Sequence, residues 1–375
     1  MESDRYLRHS LIDWFSQDDV RASRIAVIGA GAVGNEVVKN LALLGVGAVD
    51  VHDFDRVEIH NLTRSIFLRE SDVGASKAAA VVARAREVDP GVALQAIEGD
   101  FWRTLRLASL AGYRAVVSAV DNFEARLKLN QMCCIAGVDL VNCGVDSRFV
   151  TVETFPFAGD ATSACYECHL PHSAYQRIAE RYSCGWLRKA AYAERRVPTT
   201  TVTASIAGAL AASAALRLGS AENPAARRVF FDTLGGTSTV TGLDRQPECA
   251  GCGLFVRRPR VIAAGNDWAR RLSEAAGGEA VAAVALRLSD PLVTAYECAN
   301  CGDTAGGAGC VDRRAADFDD RITLCGACGL RAARVEIRDE LTAGELVERF
   351  GRAPPPSKYA LADIGGEWIC LDFEE

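Results

Sequence analysis

Two short stretches carry residues suited to chemistry on a phosphate. HDFDRVEIHNLTRSIF contains Asn61 and Arg64, and DVGASKAAA places Lys77 at the start of a helical pattern. Cations neutralise charge on a triphosphate, and an amide holds a phosphate oxygen. Hydride transfer at a nicotinamide develops little phosphate charge and asks for few cations here. Asp121, in SAVDNFEAR, supplies a carboxylate at the end of an apolar run, where it can hold Mg2+ against phosphates. The same position also suits an N-cap for the helix that begins near Phe123. Upstream, RIAVIGAGAVGNEVV carries Gly29-x-Gly31-x-x-Gly34 between an apolar run and a helical pattern. That is a strand, a tight turn and a helix N-terminus, a cradle for a nucleotide phosphate. The glycines suit NAD as well as ATP. So does Asp53, about 20 residues on, where a ribose hydroxyl would be held. Asp55 stands beside it. The charge of the following segment decides for ATP.

These residues need a scaffold, and the first half of the chain supplies one as alternating strands and helices. RIAVIG leads into a helix from Val33 to Leu44, and AVDVHDF is a second strand. A helix from Lys77 to Arg86 precedes the strand VALQAIEG, and a helix near Arg103 to Leu110 precedes YRAVVSAV. NFEARLKLNQMCCIAG is helical and DLVNCGV extended. Strands separated by helices of this length predict a mostly parallel, Rossmann-like sheet covered on both faces. After Val145 the pattern changes. RFVTVETFPF alternates like an antiparallel strand, and residues 158–200 form a polar crossover. A helix from Thr201 to Leu218 follows, and RRVFFDTLGG with STVTGLD reads as a strand pair.

The expected domains are 1–254 for nucleotide binding, 255–330 for a helix (NDWARRLSEAAGG) and a Gly-rich cysteine segment, and 331–375 for a small α+β unit. In the last, ARVEIRDE is a strand. Thr342 and Glu345 form a capping box, flanked by Leu341 and Leu346 as a hydrophobic staple. KYALADI and EWICLDF then pair across Gly365-Gly366 as a hairpin. Strand, helix and hairpin together predict a β-grasp-like module.

Composition narrows the class. The 375 residues are 49% hydrophobic and 24% charged, as in a soluble globular protein, and the formal charge of −7 argues against a general nucleic-acid binder. The polar start, MESDRYLRHS, predicts no secretory signal, and TVTASIAGALAASAALRLG reads as a buried helix rather than a membrane span. Of the 14 cysteines, eight lie in four C-x-x-C pairs. Without a secretory signal this spacing predicts metal binding, and the cytoplasm as location.

Taken together, RYLRH, GAGAVGNE, DFDRVEIHNLTR, GASKA, SAVDNFEAR and the split C-x-x-C pair make residues 1–252 resemble the ThiF-type adenylyltransferases. That superfamily includes the ubiquitin-activating enzymes and the activators of sulfur carriers. VDNFEARLKLN and RVPTTT are most similar to the short activating enzymes of ubiquitin-like proteins, here in a bacterial conjugation system. The resemblance implies that Gly29, Gly31 and Gly34 line the nucleotide loop and that Asp53 binds the ribose. Asn61, Arg64 and Lys77 would contact the phosphates, Asp121 would act with Mg2+, and Arg8 would reach the ATP of the other subunit in a homodimer. Where the family usually has Gln after Asn-Leu-x-Arg, this chain has Ser65, as the nearest branch also lacks the Gln.

The same resemblance implies that Cys165, Cys168, Cys249 and Cys252 hold one structural zinc, tying the crossover to the end of the domain. Cys298, Cys301, Cys325 and Cys328 have ribbon-like spacing and would hold a second. A thioester-forming cysteine is sought among the rest. Cys184, in RYSCGWLRK, has Arg181, Arg188 and Lys189 nearby, and cations favour a thiolate. The nearest branch has its nucleophile closer to Pro-Thr-Thr, where this chain has Ala193.

The expected function is ATP-dependent adenylation of the C-terminal Gly carboxylate of a ubiquitin-like protein, followed by a thioester on Cys184 and hand-over to a conjugating enzyme recruited by residues 335–375. The alternative is an adenylyltransferase for a sulfur carrier or a biosynthetic peptide without a thioester. An NAD-dependent oxidoreductase would bind nicotinamide and exchange no pyrophosphate. A zinc-bearing scaffold has no use for Arg64, Lys77 and Asp121.

Overall fold

The computed structural model describes residues 5–171, 198–218, 225–254, 257–278, 280–318 and 320–374. They divide into two compact units, which part after Val256.

In the first unit the chain runs α1 (Gln17–Ala22), β1 (Arg24–Ile28), α2 (Ala32–Leu44), β2 (Ala48–Asp53), α3 (Lys77–Val88), β3 (Ala93–Glu98), α4 (Phe101–Thr104) and α5 (Leu107–Leu110). It continues through β4 (Ala115–Ser118), α6 (Phe123–Ala136), β5 (Asp139–Val145), β6 (Phe149–Phe155), α7 (Thr201–Arg217), β7 (Arg227–Asp232) and β8 (Thr237–Gly242). The eight strands form one sheet in the order β3-β2-β1-β4-β5-β6-β7-β8. Strands β1 to β5 pair in parallel, and β5 to β8 pair antiparallel. Short apolar strands such as RIAVI, fully buried after Arg24, belong where both faces of a sheet are covered. One face packs Ile25, Val27, Val49, Val51 and Val117 against α2, α3 and α7. α6 packs on β4 and β5.

The single helix expected near Arg103 to Leu110 is two short ones, α4 and α5. Leu105 and Leu107 are both buried, at 1% and 2% exposure. Residues two apart point to opposite sides of a helix, so the backbone breaks at Leu105, which is extended, to turn both inward.

The second unit contains β9 (Arg260–Ala263), α8 (Trp268–Ala275), β10 (Ala285–Cys298), β11 (Ala333–Thr342), α9 (Ala343–Phe350), β12 (Tyr359–Ile364) and β13 (Glu367–Asp372). Its sheet order is β11-β10-β12-β13-β9. The expected boundary at 330/331 is therefore absent. β12 and β13 pair as the expected hairpin, but β11 and β12 do not pair with each other; each pairs with β10, so within the last 45 residues β11 joins that hairpin only through a strand drawn from the segment before them. The small α+β unit begins near Arg257 and includes the cysteine segment. Its core gathers Trp268, Leu286, Leu341, Leu346, Ala360 and Leu371. Thr342 and Glu345 make the reciprocal capping box, and Leu341 and Leu346 on either side of it are both buried in that core.

Candidate functional site

Sheet order and register bring three chain ends together. β1 lies between β2 and β4, and Ile28 pairs in register with both His52 and Ser118. The chain leaves β1 toward β2 and later returns on the other side as β4. This reversal of strand order is where open α/β sheets leave a crevice at their carboxyl ends. The glycine turn after β1, Asp53 at the end of β2 and Asp121 just beyond β4 all meet there, on strands that span about 10 Å.

The turn is built by close contact. Gly29 has φ +100°, and a Cβ on it would stand 2.6 Å from the Ala119 carbonyl oxygen. A Cβ on Gly34 would stand 1.8 Å from the Gly29 carbonyl oxygen, so α2 seats directly on the turn. Gly31 differs. It N-caps α2 without a side chain, and nothing lies within 4 Å of the place its Cβ would take. Space is thus open at the residue that caps the helix, and the first N–H groups of a helix have no partner within it, the arrangement that receives an anion.

Asp53 braces this turn. One carboxylate oxygen accepts the Ala30 N–H at 2.6 Å, and the other accepts the Asp55 N–H at 2.7 Å. Burial raises its pKa above the ordinary carboxylate value, against the lowering effect of those two N–H donors. A carboxylate accepts about four hydrogen bonds, so acceptor capacity remains for a ribose hydroxyl.

The segment after β2 folds back on the start of α3. Arg56 bridges to Ser76, the Lys77 N–H donates to the Asp55 carbonyl, and the Lys77 ammonium lies 2.7 Å from the Asp55 carboxylate. Asn61 is buried, and its side-chain oxygen accepts the Glu58 N–H. Arg64 is half-buried and donates to the His60 carbonyl at 2.7 Å. Asp121 is exposed and, among the described residues, accepts a long bond from Asn122 Nδ2 at 3.3 Å. The capping role expected of Asp121 belongs to Asn122, whose oxygen accepts the Ala125 N–H, so the Asp121 carboxylate is left out of the cap. Arg8 is exposed, immediately before the 3₁₀ turn His9–Leu11; its expected reach concerns a second copy of the chain. Cys184 lies outside the described residues, as do Arg181, Arg188, Lys189 and Ala193.

Two residues of this region were not singled out from the sequence. Asn35 is fully buried in α2, and its amide joins the glycine turn to the backbone at Phe67. Arg126 donates to the Val120 carbonyl beside Asp121, and to Asn142. Asn142 in turn donates to Glu153 at 2.7 Å, and Glu153 pairs with Arg228 at 2.6 Å. The signal was present as a polar residue on an apolar helix face and as Asp-Asn-x-x-x-Arg, but the contacts are tertiary.

Both cysteine sets assemble. Within each, all four sulfurs lie within 4.8 Å of one another. The close pairs are Cys165–Cys249 at 3.6 Å, Cys168–Cys252 at 3.5 Å, Cys298–Cys328 at 3.8 Å and Cys301–Cys325 at 3.7 Å. Four thiolates at 2.3 Å from one tetrahedral zinc stand about 3.8 Å apart, so the spacing fits. At the first set the N–H groups of Cys165 and Gln246 point at the Cys168 sulfur, both at 3.4 Å, which favours a thiolate. The second set is two matching knuckles. Gly302 and Gly329 follow the second cysteine of each pair in left-handed conformation, and each returns its N–H to the first cysteine's carbonyl. Four protein ligands close a tetrahedral site, so both sets are structural in design. Of the other cysteines, Cys133, Cys143 and Cys370 are buried, and burial raises all three thiols, Cys143 to about 12. They are poor nucleophiles. No helix among the described residues is long and apolar enough to cross a membrane.

The sequence model of the ThiF family matches residues 4–251. The chain is 30% identical over 261 residues to the SAMP-activating enzyme E1 of Haloferax volcanii, covering 67% of this chain and 88% of that one. It is 29% identical to the sulfur carrier protein adenylyltransferase of Thermus thermophilus, covering 67% and 91%. It is also 29% identical to ubiquitin-like modifier-activating enzyme 5 of Bombyx mori, over 49% of this chain and 48% of that one. Among solved structures, E. coli MccB with ATP shares the fold at a TM-score of 0.54, with 21% identity over 68% of this chain and 75% of that one. The glycine turn, the charged loop behind it and these matches agree: the chain belongs to the ThiF family of ATP-dependent adenylyltransferases.

Proposed function

We propose that this enzyme adenylates the C-terminal carboxylate of a small ubiquitin-like protein ending in Gly. The observation that carries the reading is the charged loop, in which Arg64 bonds the His60 carbonyl and Lys77 pairs with Asp55, joined through the Asn35 amide to a glycine turn with open space at Gly31. The partner's carboxylate attacks the α-phosphorus of ATP. A carboxylate-oxygen-to-phosphorus bond forms as the bond from that phosphorus to the bridging oxygen breaks, and pyrophosphate leaves with the electron pair. A carboxylate is already ionised near pH 7, so no general base is required. The enzyme contributes alignment and positive charge. Asp53 would accept from the ribose, the α2 N-terminus with Asn61, Arg64 and Lys77 would face the phosphates, and Asp55 holds the Lys77 ammonium in place. Mg2+ would supply further charge neutralisation, and the uncapped Asp121 carboxylate is the group suited to hold it. Arg8 would complete the site of the other subunit in a homodimer.

The acyl-adenylate is then attacked by the Cys184 thiolate, giving a thioester and AMP, and the thioester passes to a conjugating enzyme. The alternative ends at the adenylate and serves a sulfur carrier; the 91% coverage of the Thermus thermophilus relative supports it. ATP–pyrophosphate exchange with purified β-grasp proteins ending in Gly tests the reading. Exchange is expected with one such partner, and is strongly reduced but still measurable in Arg64→Ala and in Asp121→Ala. Cys184→Ala should keep exchange and form no reducible bond to the partner. Wild-type exchange in Arg64→Ala would overturn the assignment of the site, and a full-strength thioester in Cys184→Ala would overturn that of the nucleophile.

A further inference from the structure

We infer that Asn35 is a positioning residue for adenylation, setting the Arg64 loop against the glycine turn. The inference rests on the proposed role of Arg64 and adds a residue that touches no nucleotide. Asn35 is the fourth residue of α2 and is 0% exposed. Asparagine is a poor residue for a helix interior, because its amide competes for backbone partners, and a buried amide must find partners for both ends. Here it finds three. Nδ2 donates to the Ala30 carbonyl at 2.7 Å and to the Gly31 carbonyl at 3.0 Å, and Oδ1 accepts the Phe67 N–H at 3.0 Å. The orientation is fixed by chemistry, since two carbonyls on one side demand the NH2 and an N–H on the other demands the oxygen.

The two things joined are the two halves of the phosphate site. Ala30 and Gly31 form the turn that Asp53 braces from the far side. Phe67 ends the run that begins with Asn61 and Arg64, where the Arg64 N–H bonds the Asn61 carbonyl and the Leu68 N–H bonds the Ser65 carbonyl. The Phe67 carbonyl is taken by Arg84 from α3, at 2.9 Å, and Arg84 also pairs with Asp72. Phe67 therefore has both backbone groups pinned and its ring in the core. Arg64, three residues earlier, projects from a segment that the Asn35 amide ties directly to the glycine turn. In-line attack is sensitive to such placement, since a misplacement of about 1 Å costs up to about a hundredfold in rate.

The test uses the full chain, ATP and the partner that supports exchange. Asn35→Asp keeps the volume and the acceptor to Phe67 but turns a carboxylate oxygen against the two carbonyls. Asn35→Ser, smaller and neutral, answers the same question if the Asp form does not fold. Each is expected to lower the kcat for exchange by at least about tenfold while leaving the KM for the partner protein within about twofold. Combined with Arg64→Ala, the further loss should fall below about threefold, because a displaced loop matters little once its arginine is gone. Full additivity with Arg64→Ala, or wild-type kcat in a folded Asn35 variant, overturns the inference and leaves the proposed function standing. Wild-type exchange in Arg64→Ala alone overturns the reading of the site instead.

Discussion

Gly34 and Gly31 should respond to the same substitution in opposite ways. In Gly34→Ala the new methyl would lie 1.8 Å from the Gly29 carbonyl oxygen, whereas ordinary contact begins at 3.4 Å. The oxygen is backbone and the position of a Cβ is fixed by the backbone that carries it, so neither atom can swing away. The turn and α2 must separate by about 1.6 Å, with Val37 and Leu41 on the same helix already fully buried. Overpacking of this kind costs about 1–3 kcal/mol of stability, and displacement of the turn costs up to about a hundredfold in exchange. In Gly31→Ala the backbone already has φ −73°, which alanine adopts freely, and the methyl meets nothing within 4 Å. Stability should stay within about 0.5 kcal/mol of wild type. The methyl nevertheless fills the space in front of the α2 N-terminus, and the KM for ATP should rise at least about tenfold. Urea unfolding and ATP–pyrophosphate exchange on both variants read the two quantities separately. A wild-type KM for ATP in Gly31→Ala would mean that no phosphate approaches this helix start. Unchanged stability in Gly34→Ala would mean that the turn is not seated on α2.

Acid stability should depend on His52. Burial holds its imidazole at a pKa of about 4, below the ordinary 6.5, and the opposing pull of Asp50 is smaller. The native state keeps it neutral while the unfolded chain takes a proton below 6.5, so stability present at pH 7 falls between pH 6.5 and about 4, by about 3 kcal/mol. Urea unfolding at pH 7 and pH 4.5 should show a smaller acid loss in His52→Gln, and an equal loss refutes the assignment. Metal analysis should find two zinc equivalents per chain, one for each cysteine set. A strong chelator should lower the unfolding temperature, and Cys252→Ser should leave one equivalent; retention of two would show that the first set does not hold zinc.

Much of the candidate site's layout was legible because its parts are local. A strand, three spaced glycines and a helix start are contiguous, and Asn61, Arg64 and Lys77 follow within one connection. The capping box at Thr342 and Glu345 was legible for the same reason. What escaped was set by distant partners. Asn35 looks like one more polar residue on a surface helix until Phe67 is known to lie against it. Leu105 fits a continuous helix until the core claims it together with Leu107. β10 was hidden by its own sequence. Pro291 lies within it, and a proline interrupts a strand reading, yet the register with β11 shifts between Arg287 and Leu292 and so accommodates the missing N–H.

That strand governs how the chain can be shortened. β10 spans 14 residues and ends in Cys298, a member of the second cysteine set. Ending the chain at residue 330 would remove both of its partners, β11 and β12, in one cut. A long strand would remain stripped of both partner strands, eight of its 14 residues hydrophobic, and would recruit other copies of itself. Loss of activity in such a fragment would report aggregation rather than the loss of a recruiting surface. The cut that leaves each sheet whole falls after Val256, and whether the second unit contributes to the proposed transfer can be measured with that fragment.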